Sequence, residues 1–110
     1  MSIPAHIDIL APWKAIEDSG RSQLFSAQLE NELPDTHILH GLKVNAVAAR
    51  IDRDDVLFEV AGSETPLAVV HLTWRKKKET DPRWPSTKLF RSWDHWVEED
   101  MQPAHEEYAH

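Results

Sequence analysis

From Leu67 to Met101 the chain reads LAVVHLTWRKKKETDPRWPSTKLFRSWDHWVEEDM and holds Trp74, Trp84, Trp93 and Trp96, four of the five tryptophans. Tryptophan has more apolar area to bury than any other side chain, so this segment must organise the core or a binding face. Its periodicity changes twice. Leu67 to Trp74 is a strand pattern, the most hydrophobic in the chain. Asp81-Pro82-Arg83-Trp84-Pro85 excludes helix and central strand, because each proline removes a donor and restrains the residue before it. Beyond it, Leu89, Phe90, Trp93, Trp96, Val97 and Met101 recur at three- and four-residue spacing. That stripe predicts an amphipathic helix capped by Ser86 or Thr87 and running to about Asp100. Pro103 is expected to end it, leaving residues 102–110 as a frayed tail.

Upstream, Pro12-Trp13 opens a short helical pattern that Ser19-Gly20 breaks. Leu24, Phe25, Ala27, Leu29 and Leu33 then predict a helix from Ser22 to Leu33, with Pro34 just beyond its end. Leu42 to Ile51 and Val56 to Ala61 read as strands, separated by the polar turn Asp52-Arg53-Asp54-Asp55. Gly62 to Pro66 forms the next turn. Connections this short favour an antiparallel meander, since parallel pairing needs a crossover of a dozen or more residues. The expected fold class is α+β: a three- or four-stranded antiparallel sheet, with N-terminal and C-terminal helices packed on one face. Residues 67–74 are apolar at both alternating sets of positions, which calls for a central position or a second covered face. A homodimer would supply such a cover.

The 110 residues are expected to form a single domain, large enough for one core. With no cysteine, disulfides and thiolate sites are excluded. The first ten residues, MSIPAHIDIL, lack the basic and apolar regions of a signal peptide, and no apolar run approaches bilayer length. A cytoplasmic location is therefore expected, with no membrane partner. The formal net charge of −7 disfavours nucleic acid, whose phosphates repel an acidic body. The run Arg75-Lys76-Lys77-Lys78 is the exception, and its ordinary reading is a solvated strand end and loop.

Five elements occur in order: His37-Ile38-Leu39-His40-Gly41, Val47-Ala48-Ala49-Arg50, Asp52-x-Asp54-Asp55-Val56-Leu57-Phe58, Val70-His71-Leu72-Thr73-Trp74 and Pro82-x-Trp84-Pro85. Over residues 24–101 this arrangement resembles a group of small bacterial proteins of similar length with no assigned activity. The resemblance implies a bacterial, soluble, single-domain protein and lends no residue a catalytic role.

His71 is the leading catalytic candidate, because an imidazole set between Val70 and Leu72 in an apolar strand is where a perturbed acid or base is expected. Its plain alternative is a neutral histidine satisfied by one hydrogen bond. His37 and His40 have metal-ligand spacing only on a helix, and Pro34 and Gly41 argue against one, so no metal is expected. Asp52, Asp54 and Asp55 begin like a calcium loop, but Leu57 stands where that loop requires glycine. On the last predicted helix, Asp94, His95, Glu98 and Glu99 share a polar face, and Glu98, Glu99 and Asp100 crowd an end that disfavours negative charge. Trp84, between Pro82 and Pro85, is a candidate docking aromatic.

Two functions from different classes fit these residues. One is a non-catalytic interaction protein, such as an immunity-type inhibitor, that binds a basic or cationic protein partner through Asp54, Asp55, Glu98 and Glu99. The other is a small enzyme or ligand-binding domain with Trp74, Trp84 and Trp96 lining a pocket. There His71 would act as acid or base, oriented by an acid such as Glu59. No cofactor is expected for either. No glycine-rich phosphate loop or nucleophile elbow is present, although a serine or threonine brought to His71 by the fold would escape such a search.

Overall fold

The computed structural model describes residues 3–74 and 80–109, so the basic run at 75–78 lies outside the described residues. Five strands form one antiparallel meander: β1 (Trp13–Ala15), β2 (Val44–Arg50), β3 (Asp55–Val60), β4 (Leu67–His71) and β5 (Thr87–Phe90), in that spatial order. Between β1 and β2 lies helix α1 (Ser19–Glu32). After β5 come α2 (Trp93–Trp96), a π turn (Val97–Met101) and α3 (Gln102–Ala109) without interruption.

The sheet is covered on both faces, not one. Alternation along β3 sends Val56, Phe58 and Val60 to a core under α1, with Phe25, Leu29 and Leu33. Leu57, Leu67, Val69 and Phe90 point the other way, into a core with Trp13, Trp96, Met101 and Ala104. The apolar character of both sets of positions along β4 is thus explained within one chain, and the motive for a covering homodimer falls away. A bulge in β2 between Ala46 and Ala48 lets successive residues Val47 and Ala48 enter the same core.

Three local expectations change. Trp13 begins a strand right after Pro12, and Ser19-Gly20 opens α1 instead of breaking a helix. Asp18 caps α1 by accepting the Gly20 N–H at 2.8 Å. A Cβ at residue 20 would sit 3.2 Å from that carboxylate oxygen, so glycine leaves room for the cap. The helix expected from Ser86 or Thr87 begins only at Trp93, where Ser92 accepts the His95 N–H. Thr87–Phe90 instead pairs with Leu67–Val70, and the alternation that sends Phe90 to one core leaves Leu89 against the other. The tail is helical over Gln102–Ala109: α3 buries Ala104, and His105 Nδ1 lies 2.7 Å from the Ala11 carbonyl oxygen. Pro103 sits inside this helical segment just after the π turn. An i→i+5 turn accommodates a residue that cannot donate to the usual i→i−4 ladder.

Candidate functional site

Ionisable side chains converge at one end of the sheet, on the face that α2 and α3 partly cover. In the register, Asp55 stands opposite His71. The His71 N–H donates to the Ser86 carbonyl at 2.9 Å, which sets Ser86 across from His71 on the next strand. Arg50 lies one position beyond the Ala49–Val56 pair, on the other side of Asp55. Arg50, Asp55, His71 and Ser86 therefore form a row across the strand ends, and residues paired this way share a face. Lys88, two residues along from Ser86, joins the same face. A groove of about 90 Å³ is lined by Arg50, Arg53, Asp55, Val69, His71, Ser86, Lys88 and Asp100. Larger hollows open elsewhere, such as one of about 460 Å³ against Ile3 to Ile9, but the titratable groups gather here.

The closest contact in the groove joins His71 Nδ1 to Asp55 Oδ1 at 2.7 Å. With Asp55 ionised, Nδ1 carries the proton and donates, leaving Nε2 as the free ring nitrogen. Arg53 adds a looser pair to Asp55 at 3.9 Å. Arg50 forks onto Asp52, with Nε and one terminal nitrogen each at 2.8 Å. This hydrogen bonding raises the guanidinium pKa and holds the Asp52 carboxyl below its usual range. Asp100 is shifted the other way: burial pushes its carboxyl up, against the hydrogen bond from Trp96 Nε1 and the charges of Lys88 and Arg50. With His71 neutral, Arg50, Arg53 and Lys88 balance Asp52, Asp55 and Asp100.

Among the residues singled out from sequence, His71 and Asp55 meet, and the others scatter. His71 is not enclosed by the apolar strand: it is the last residue of β4, its side chain 49% exposed. Its orienting acid is Asp55, not Glu59, which stands four residues along β3 and so about 13 Å away. Trp74, Trp84 and Trp96 do not line one pocket. Trp96 is fully buried against Trp13 and Trp93, with ring centroids at 5.3 and 5.9 Å. Trp74 is 43% exposed and packs on Phe25, on the α1 side. Trp84 is 47% exposed on the loop before β5. Asp54, Glu98 and Glu99 are exposed and outside the groove lining. Because helix continues to Ala109, Glu98 and Glu99 occupy a mid-segment turn, and the expected clash with a helix C-terminus disappears.

His37 is buried. Its Nδ1 accepts the Leu39 N–H at 3.0 Å, so Nε2 carries the proton and donates to the Pro85 carbonyl at 3.1 Å. His40 is exposed, 3.9 Å from Asp35. Among the described residues no group of three or more His, Cys, Asp or Glu is placed to hold a metal ion. Among them, too, no helix is long and apolar enough to cross a membrane.

Sequence reasoning passed over two features. One is the contribution of Ser86 and Lys88 to the groove, whose alternation becomes legible once Thr87–Phe90 is read as a strand. The other is Glu32, fully buried at the end of α1. Its carboxylate accepts the Thr73 N–H and hydroxyl, both at 2.8 Å, and the Trp74 N–H at 3.0 Å. Gln28 donates to it as well. These bonds hold Trp74 in a left-handed conformation, φ 59°, where a non-glycine residue rarely settles. Comparison with protein-family models, curated proteins and solved structures gives no match.

Proposed function

We propose that this chain is a small interaction protein that docks a charged protein partner at the end of the sheet where β4 leaves and β5 enters. The observation that carries the reading is convergence. Arg50, Arg53, Asp55, His71, Lys88 and Asp100 reach one groove from four separate stretches of chain. Trp84 precedes β5 and is exposed at the same end of the sheet, and Trp74 follows β4 there on the α1 side. Aromatics beside charged groups are the composition of a binding hot spot. The partner's docking group is cationic: Asp54, Glu98 and Glu99 are exposed, and a cation would relieve the burial cost on the Asp100 carboxylate. An immunity-type inhibitor of a basic protein is one function of this kind.

The test places a photo-crosslinking amino acid at Trp84 in cells that express the protein, with a second copy carrying Asp54→Lys, Glu98→Lys and Glu99→Lys. A discrete crosslinked partner that disappears on charge reversal, with the circular dichroism unchanged, supports the reading. A crosslink indifferent to the reversal removes the acidic docking surface.

The 2.7 Å contact between Asp55 and His71 favours a second reading, in which the groove performs acid–base chemistry with His71 as the proton carrier.

A further inference from the structure

The row across the strand ends contains three residue types that act together in acyl transfer. We propose that Ser86 is a nucleophile served by His71 and positioned by Asp55, and that the groove cleaves small esters. The inference rests on the second reading above, that His71 carries a proton in catalysis.

Each placement follows from backbone pairing. Asp55 and His71 are register partners, and His71 and Ser86 are tied by the backbone hydrogen bond at 2.9 Å. Directly opposed residues of an antiparallel pair bring their Cβ atoms to about 4.5–5.5 Å. Asp55 occupies Nδ1 from one side of the ring, so the nitrogen left for a substrate or nucleophile is Nε2. Ser86, exposed on the other side of His71, lines the same groove. No hydrogen bond joins the Ser86 hydroxyl to the ring here, and the proposal requires that side-chain rotation bring the two together. Lys88, on the same face and in no ion pair among the described residues, supplies a cation for the developing oxyanion.

The steps balance without a further reactant. The Ser86 hydroxyl oxygen attacks the ester carbonyl carbon as its proton passes to His71 Nε2. The adduct collapses, the acyl C–O bond breaks, and the leaving alkoxide takes that proton to depart as alcohol. Water then attacks the acyl-serine, giving its proton to His71, and the acid leaves as Ser86 recovers a proton from the ring. Asp55 touches only the ring and is a positioning residue.

The probe is 4-nitrophenyl acetate, with release of 4-nitrophenolate followed across pH and the acetylated position located by tandem mass spectrometry. The native protein is expected to acetylate at Ser86 and turn over. Ser86→Ala should lose the adduct and reduce hydrolysis by ~10²-fold or more, and His71→Asn should do the same. Asp55→Asn should lower kcat with little change in KM and shift the pH profile, with Asp55→Glu restoring part of the rate. Ser86→Ala keeps the carbonyl that pairs with His71, and an unchanged melting curve confirms its fold. Wild-type hydrolysis by Ser86→Ala, or acetyl found only on Lys88 or another amine, overturns the proposal. If His71→Asn still lowers the rate while Ser86→Ala does not, the acid–base reading survives and the nucleophile fails. If neither variant matters, both fall.

Discussion

On the α1 face of the sheet, the polar groups that enter the interior are hydrogen-bonded there. On the face under α2 and α3, charged groups stop at an open end. Glu32 and His37 illustrate the first arrangement. Each is buried, each meets backbone partners, and each ties a loop to the core: Glu32 holds residues 73–74, and His37 holds the Pro85 segment. Asp55, His71 and Lys88 illustrate the second, lying where the helical cover ends. The difference follows from what stands above each end. A buried polar group must find partners or cost several kcal/mol, whereas a group at an open edge keeps water and remains available to a ligand.

If the contrast is real, substitutions on the two faces should separate by size and by readout. The largest effect is expected from Trp96→Ala, which removes a fully buried ring packed on Trp13 and Trp93. Its cost should be about 3–5 kcal/mol in urea unfolding, and a loss below ~1 kcal/mol would mean that α2 and α3 do not close this core. On the opposite face, Glu32→Ala strands the Thr73 and Trp74 N–H groups and should cost about 2–3 kcal/mol. Hydrogen exchange at those amides should rise. Protection unchanged from the native chain would break the comparison from that side.

His37→Ala removes the two bonds that pin Leu39 and Pro85 and should cost about 1–2 kcal/mol, measured the same way. In the groove, Asp100→Asn should act in the opposite direction. Burial raises this carboxyl, so the folded state holds its proton more tightly than the unfolded chain does. Its contribution to stability is then lost as pH climbs from the ordinary carboxylate value through the raised one. The asparagine, whose amide oxygen still accepts from Trp96, should be the more stable at pH 7, with the gap closing at acid pH. Melting temperatures across pH check this, and a destabilised variant at neutral pH would show that Asp100 is held by its cations more than it is penalised by burial. The smallest effect is expected at the surface Asp81–Arg83 pair, 2.6 Å apart. There Arg83 lowers the Asp81 carboxyl to about 2, yet Arg83→Ala should leave the unfolding midpoint within error.

Reading the chain located most of the sheet, because β2, β3 and β4 repeat with period two and their turns carry Asp, Gly and Pro. It erred where one pattern admits two periods. Leu89, Phe90 and Trp93 satisfy helical spacing, but Thr87–Phe90 also alternates, and the free edge of β4 decided for a strand. That single change hid the site, since Ser86 and Lys88 face His71 only when β5 exists. His71 itself was legible as unusual, though for the wrong reason: it ends its strand instead of being enclosed by it.

The sequence by itself determined the class of fold, the meander order and the apolar positions, since these depend on local periodicity and short connections. Tertiary structure alone decided that the two cores lie on opposite faces, that Glu32 and His37 go inside, and that Asp55, His71 and Ser86 stand side by side. Each of those facts depends on strand register and on which element covers which face. Both are set by contacts between residues far apart in the chain, which no local pattern records.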